Sequence, residues 1–207
     1  MKLTRISIAG FGANTYVLTT DGKNAVVIDP SQPQILKELN KLSLTPVYVL
    51  LTHCHFDHVY GVPALQAAGA KVICSAKEKS LVGTSADMSR IFSAPSVVYT
   101  VDQTMDDNEE RSLCNLTVRM LWTPGHTKGG ACYLITDENG EEYLFTGDTL
   151  FAGAVGRTDF ATGDISSLRR SLKRLSSLDK NYRVYPGHGD ETSLETERKN
   201  NTFMVEL

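Results

Sequence analysis

The chain has 207 residues, 41% hydrophobic and 22% charged, with a formal net charge of −3. That is the composition of a globular protein, and a sequence pI near 6.0 argues against a nucleic-acid-binding surface, which needs a basic patch. No apolar run approaches the roughly 18 residues that span a bilayer, so no membrane partner is expected. The N-terminus, Met1-Lys2-Leu3-Thr4-Arg5-Ile6, lacks the apolar core and small-residue cleavage site of an export signal. Cys54, Cys74, Cys114 and Cys132 are scattered with no Cys-x-x-Cys pair, which suits a reducing compartment. The expected location is cytoplasmic.

Residues 3–9 and 14–20 read as strands about a Gly10-Phe11-Gly12 turn. Asp21-Gly22 is a hairpin signal leading into Ala25–Ile28, which ends at Asp29-Pro30. Ile35, Leu36, Leu39 and Leu42 recur at helical spacing over 33–42. Pro46 breaks that pattern, and Val47–Leu51 reads as a buried strand. It runs into Thr52-His53-Cys54-His55-Phe56-Asp57-His58. Residues 60–68 look helical and stop at Gly69, a C-terminal cap; Val72-Ile73 is a short strand and 76–82 a helix. Residues 83–112 carry few clear periods. Val97-Val98-Tyr99 is a candidate strand and Asp106–Glu110 an acidic turn. The segment reads either as a solvated loop or as a loop with a short helix, walling an active site through Met88 and Phe92. Strands resume at 115–122, 130–136 and 142–147. Ile165, Leu168, Leu172 and Leu175 form one stripe of an amphipathic helix over 165–178. A strand at 182–185 and a helix near 193–201 complete the chain.

A repeat is visible. Tyr16 to Asp29 and Tyr133 to Asp148 are each a hairpin whose second strand ends in aspartate. Duplicated hairpins interleaved with helices imply an α/β fold with two sheets face to face and helices outside. The expectation is a four-layer αββα sandwich of two pseudo-equivalent halves, in a single domain over 1–207.

Chemistry collects at strand ends. His53, His55 and Asp57 are spaced by two, so extended backbone would aim them to one side, and His58 joins them if the chain turns after Asp57. Imidazole nitrogen and carboxylate oxygen are ligands that zinc and iron accept. Plain surface histidines would leave this spacing without a reason. Cys54 and Phe56, between the ligand-type residues, are expected to point away into packing. His126 follows a strand through Pro124-Gly125, His188 through Pro186-Gly187, and Asp148 follows Tyr143–Thr146 through Gly147. None of the five histidines is expected inside a helix. Taken singly, His126 and His188 read equally as hydrogen-bonded loop histidines and Asp148 as a turn residue; with the cluster they read as ligands. Asp29, the repeat counterpart of Asp148, lacks a ligand-type neighbour and is a candidate for orienting a ligand or capping a turn. Seven ligands exceed one tetrahedral ion. They suit two divalent ions sharing a carboxylate, which at a separation of about 3.5–4 Å hold a hydroxide at neutral pH.

At these residues the chain resembles the metallo-β-lactamase superfamily, through Thr52–His58, Pro124–Thr127, Thr146–Phe151 and Pro186–Gly189 in the family's order. Gly156-Arg157-Thr158-Asp159-Phe160 and Glu191-Thr192 resemble its glyoxalase II-like hydrolases, particularly the short form. The resemblance implies the metallo-β-lactamase fold, with His53, His55 and His126 on one metal, Asp57, His58 and His188 on the other, and Asp148 bridging. Zinc is the first choice of metal, with iron or manganese as alternatives. The implied activity is hydrolysis of S-lactoylglutathione or a related hydroxyacyl thioester by a metal-bridging hydroxide that Asp57 orients. Phe151 and Arg157 are candidate substrate contacts, the alternative for Arg157 being a salt bridge with Asp159. Longer glyoxalase II enzymes carry a C-terminal helical region toward glutathione that has no counterpart here, which leaves the thiol carrier open, as is the oligomeric state. The best-known β-lactamases place a cysteine where Asp148 falls, which disfavours antibiotic hydrolysis. The rivals are an iron persulfide dioxygenase, with one metal on His53, His126 and Asp148, and a non-catalytic metal-dependent binding module. The complete second ligand set, ending in His188, favours hydrolysis.

Overall fold

The computed structural model describes residues 1–7 and 12–207. Strands β1 (Lys2–Ile6), β2 (Thr15–Thr19) and β3 (Asn24–Ile28) form an antiparallel meander, with Gly22 at φ 69° in the β2–β3 turn. Helix α1 (Ile35–Lys41) then returns the chain so that β4 (Thr45–Leu50) lies parallel to β3. Helices α2 (Phe56–Val59) and α3 (Val62–Ala67) lead to β5 (Lys71–Ser75), and α4 (Ala76–Lys79) leads toward β6 (Gln103–Met105). The first sheet has the order β1-β2-β3-β4-β5-β6. The second half repeats the plan. β7 (Glu110–Leu113), β8 (Leu116–Trp122), β9 (Ala131–Thr136) and β10 (Glu142–Gly147) are successive antiparallel neighbours. After the small ribbon of β11 (Leu150–Phe151) and β12 (Ala154–Val155), helix α5 (Ile165–Ser176) brings in β13 (Arg183–Pro186), parallel to β10. Strand β14 (Thr192–Ser193) and helices α6 (Leu194–Asn200) and α7 (Thr202–Val205) follow, and the second sheet runs β14-β13-β10-β9-β8-β7. Thus β1-β2-β3-β4 around α1 corresponds to β8-β9-β10-β13 around α5.

Period-two alternation sets the layers. Tyr16 and Leu18 of β2, with Tyr133 and Ile135 of β9, fill the space between the sheets beside Leu50, Val118, Met120 and Phe145. The intervening Val17, with Val27, Val49 and Leu51, packs on Ile35 and Leu39 of α1 and on Val62 and Leu65 of α3. Cys132 and Leu134 of β9 turn to the other face and meet Leu168, Leu172 and Leu175 of α5. The result is the αββα sandwich. Truncating one of these buried leucines to alanine costs about 2–5 kcal/mol. Helix α5 starts where Asp164 accepts a hydrogen bond from Ser167 N at 2.7 Å. Ile165 does not belong to the buried stripe: it is 45% exposed in the first turn, and the apolar face begins at Leu168.

Other departures have local causes. Residues 97–99 form no strand; β6 and β7 are the strands of that stretch. Each is the outermost strand of its sheet and is largely polar, so it carries little apolar signal. Pro46 lies inside β4, at the irregularity in its pairing with β3. The expected strand end at 8–9 and the Gly10-Phe11 part of the first turn lie outside the described residues. Among the described residues, no helix is long and apolar enough to cross a membrane.

Candidate metal centre

The ends of β3, β4, β8, β10 and β13 open on one rim, and each delivers a polar residue: Asp29, the His53 loop, His126, Asp148 and His188. The first loop stays extended through His55 (φ −62°, ψ 146°), which caps α2. Asp57 and His58 therefore lie within that helix, so the turn precedes Asp57, and one histidine is helical after all. Helical winding brings the His58 ring between those of His53, 4.0 Å away, and His188, 5.3 Å away.

His53, His55 and His126 bring ligand atoms within 4.8 Å of one another, and so do Asp57, His58 and His188. Asp148 stands between the two groups. Its Oδ1 is 3.3 Å from His58 Nε2, and its Oδ2 is 3.4 Å from His126 Nε2 and 3.6 Å from His188 Nε2. Asp57 Oδ2 approaches His188 Nε2 at 3.2 Å. Nε2 of His53, His55 and His58 and Oδ1 of Asp148 are buried with no hydrogen-bond partner among the described residues. Orphaned polar atoms are costly in an interior. A cation satisfies several at once, and imidazoles with carboxylates are the donor set that divalent transition metals take.

Hydrogen bonds behind the rings aim these atoms. Asp29 holds a positive φ of 47°, rare for a residue with a Cβ. Its Oδ1 accepts from Thr52 N at 2.8 Å, and its Oδ2 accepts from the Thr52 hydroxyl at 2.6 Å and from His58 Nδ1 at 2.9 Å. Because that hydroxyl donates to Asp29, it accepts from His53 Nδ1 at 3.1 Å. His126 Nδ1 donates to the Arg157 carbonyl at 2.8 Å. In all three rings Nδ1 is engaged behind the ring, which leaves Nε2 turned toward the centre, where that of His126 also meets His55 Nδ1 at 2.9 Å. Asp29 also groups geometrically with His53 and His58. Its oxygens are already engaged with Thr52 and His58, the arrangement of a residue that orients a ring.

The electrostatics agree. Burial, reinforced by the neighbouring histidines, holds His53 well below the usual imidazole range, and burial beside His126 lowers His55 to about 3. Both rings are neutral and offer lone pairs. Burial works against charge on His58, yet Asp148, Asp57 and Asp29 outweigh it and raise its pKa well above the ordinary value. Burial likewise opposes charge on Asp57 and Asp148, but the surrounding histidines prevail and lower both. The carboxylates thus attract positive charge to this point, the charge a metal would supply.

Three supporting residues lie outside the histidine and aspartate motifs. Glu78 is fully buried. Its Oε1 accepts from Cys54 N at 2.8 Å and its Oε2 from the Thr127 hydroxyl at 2.9 Å, which ties the first ligand loop to the His126 turn. The Ser75-x-x-Glu78 spacing reads as a helix capping box; Ser75 does accept from Glu78 N, but the carboxylate turns into the site. Tyr16 OH donates to Pro186 O at 2.8 Å, and its repeat counterpart Tyr133 donates to Leu51 O at 2.9 Å. Each half thereby pins the strand end that carries the other half's histidines. Glycine is required at Gly187, where a Cβ would press on His58 Cε1 and Asp148 Oδ1, and at Gly147 (φ 47°), where it would meet the Thr52 side chain.

A cavity of about 400 Å³ opens above the centre. Its floor is His55, Asp57, His126, Asp148 and His188, and its walls are mostly aromatic. Phe56 lines this cavity rather than pointing away into packing, because the helical turn at α2 swings it toward Phe92 at 5.3 Å. Cys54 is buried behind the loop. Met88 and Phe92 complete the wall from the 83–112 segment, after a single 3₁₀ turn at Ser85–Asp87. Phe151 lines the cavity with its ring 6.0 Å from His188. Arg157 stands at the edge, bonded through Nε and Nη2 to both Asp159 oxygens at 2.6 Å, with its guanidinium 4.1 Å over the Phe160 ring.

The profile of the Metallo-beta-lactamase superfamily matches residues 8–188. The chain belongs to that superfamily. The Haemophilus influenzae hydroxyacylglutathione hydrolase GloC is 31% identical over 211 residues, covering 99% of this chain and 98% of that protein. The Bacillus subtilis probable metallo-hydrolase YqgX is 30% identical over 99% of this chain and 98% of that protein. Among solved structures, the BLEG-1 B3 metallo-beta-lactamase has a TM-score of 0.88 and 30% identity over 99% of this chain and 100% of that one. TTHA1623, solved in a di-iron-bound form, has a TM-score of 0.83 and 32% identity over 97% and 99%. Within this metallo-beta-lactamase superfamily chain, the matched span takes in all the strand ends that build the centre.

Proposed function

We propose that this protein is a binuclear metal-dependent hydrolase of thioesters, with S-lactoylglutathione or a related hydroxyacyl thioester as substrate. The observation that carries the reading is the pair of ligand groups joined by Asp148, with four orphaned donor atoms between them. His53, His55 and His126 would hold one cation and Asp57, His58 and His188 the other, with Asp148 shared. Bound divalent cations supply a Lewis acid for the carbonyl and lower the pKa of water. The remaining work belongs to the chain. Asp57 opens onto the cavity and accepts a hydrogen bond from the attacking water, which orients it toward the carbonyl carbon. Asp29, Thr52 and the Arg157 carbonyl hold the imidazoles at their angles, so no reorganisation is needed as charge develops. Water adds across the C–S bond: its oxygen goes to the acyl carbon, one proton goes to the departing sulfur, and a carboxylic acid and a thiol leave. The likeness to GloC supports a thioester substrate. Zinc is the proposed metal; the di-iron form of TTHA1623 supports iron as the alternative.

Elemental analysis paired with S-lactoylglutathione hydrolysis tests this. The expected result is two metal equivalents per chain and turnover that chelation abolishes and metal restores. Asp57→Ala is expected to lower kcat by about 100-fold or more, the scale of losing one preorganised group at a reacting centre. Near-normal turnover in Asp57→Ala, or turnover that survives chelation, overturns the reading. The resemblance to BLEG-1 supports β-lactam opening as a second activity of the same centre; a chromogenic cephalosporin at equal enzyme concentration ranks the two. Oxygen uptake with glutathione persulfide would move the protein to the dioxygenases instead.

A further inference from the structure

Charge is unevenly spread over this chain. Its formal net charge is −3, yet four cationic side chains, Lys77, Lys128, Arg170 and Arg174, line one cavity of about 570 Å³ against a single lining carboxylate, Asp164. The cavity shares no lining residue with the one above the metal centre and has room for a small organic ligand. Its cations come from three places: Lys77 from α4, Lys128 from the loop between β8 and β9, and the arginines from α5. On α5 the lining residues Ser167, Arg170, Ser171 and Arg174 recur at helical spacing, so one polar face of the helix, beside the leucine stripe, is turned to this space.

The cations differ in how far they are satisfied. Arg174 Nη1 donates to Asp107 Oδ1 at 2.7 Å and to Trp122 O at 3.0 Å, so its charge is met. Arg170 Nη2 reaches only a neutral acceptor, Ser167 Oγ at 2.8 Å. Lys77 Nζ lies 4.9 Å from the centroid of the Trp122 ring, which Nε1 anchors by donating to Lys128 O at 3.2 Å. Asp164 Oδ1 accepts from Ser167 N and caps α5. Among the described residues, then, Lys77, Lys128 and Arg170 have no carboxylate in ion-pair contact, while Arg174 has Asp107. A concave surface lined by surplus charge of one sign focuses a potential that draws in the opposite one.

We propose that this cavity is a binding site for a di- or triphosphate group, separate from the metal centre. Cations arriving from three elements meet a ligand from different sides. A planar, singly charged carboxylate answers one of them. Linked tetrahedral phosphates turn oxygens in several directions and carry charge for all three, and the Arg170 guanidinium fork fits two such oxygens at once. Trp122 forms part of the wall, so a nucleoside diphosphate meets a ring surface as well, whereas inorganic pyrophosphate meets the cations alone.

Trp122 is the single tryptophan of the chain, so intrinsic fluorescence reads this cavity directly. The test titrates the metal-loaded protein with inorganic pyrophosphate, adenosine diphosphate and citrate. Both phosphates are expected to change the emission saturably, with affinity that falls as salt screens the exposed cations. Tighter binding of adenosine diphosphate assigns the group to a nucleotide and equal binding to a free oligophosphate; either supports the site. The double variant Lys128→Glu, Arg170→Glu should bind about tenfold or more weakly, the scale of losing a charge-assisted hydrogen bond. Arg169→Glu, on the same helix but outside the lining, should leave the affinity unchanged; all three side chains are exposed, so packing is spared. No saturable response, citrate binding as tightly as pyrophosphate, or equal weakening by Arg169→Glu overturns the proposal. Binding that persists undiminished in the double variant places the phosphate elsewhere, at the metal centre first of all, and overturns it too. Because the measurement needs no turnover, its result is independent of the thioesterase reading.

Discussion

The two halves of the sandwich are built to one plan but bring side chains to the centre differently. The first half concentrates four of them, His53, His55, Asp57 and His58, in one loop and one turn of helix after β4. The second half spreads three over three separate strand ends, His126 after β8, Asp148 after β10 and His188 after β13. The counterpart of Asp148 in the first half is Asp29, which has moved behind the rings and holds His58 and Thr52. The difference teaches where each half is vulnerable. A loop bearing four side chains needs a few strong orienting bonds, and Asp29 and Glu78 supply them. Side chains carried singly need tight turns instead, which is why glycine stands at Gly125, Gly147 and Gly187, where a Cβ would collide with Leu168, Thr52 and Asp148 respectively.

The sharpest way to break this contrast is Asp148→Ala. It removes the one carboxylate that faces both groups, so bound metal should fall from two equivalents to below one and turnover should vanish. Retention of both metals in elemental analysis would show that the halves do not share it. Next in size, Asp29→Ala releases His58 and Thr52 together and should weaken metal binding about 10–100-fold in a chelator competition, the usual cost of losing such a supporting group. A change confined to thermal stability would make Asp29 a mere turn residue. Glu78→Ala leaves Cys54 N and the Thr127 hydroxyl buried without an acceptor, each costing about 1–3 kcal/mol. Denaturant titration should show the loss, and Glu78→Gln should recover part of it. Smallest are Tyr16→Phe and Tyr133→Phe, each removing one cross-sheet hydrogen bond worth about 0.5–1.5 kcal/mol. If the halves are equivalent braces, the two variants should lose similar stability. A large asymmetry in their denaturant midpoints would show that one half carries the other.

Much of this was legible in the linear sequence. Paired hairpins ending in Asp29 and Asp148, the heptad Thr52–His58, and the two Pro-Gly-His tripeptides named all seven residues that converge. The layers followed from alternation, since Tyr16 and Leu18 against Val17 already divide the two faces of β2. The errors fell where a neighbour overruled the local pattern. Phe56 was expected in packing because it alternates with ligand-type residues, but a helix starting at position 56 abolishes that alternation. Ile165 fits the leucine stripe by spacing, yet the first turn of α5 leaves it 45% exposed.

By itself, the sequence determined the chemistry of the donor atoms and their attachment to strand ends, because imidazole, carboxylate, proline and glycine carry those properties wherever they stand. Only the tertiary structure decided how they are aimed. Glu78, Tyr16 and Tyr133 act through partners 24 to 170 positions away, so no local pattern announces them. The run of rings from His55 to Tyr60 likewise exists only after folding brings Phe92 beside Phe56 and Phe160, since ring contact depends on distance in space and not along the chain.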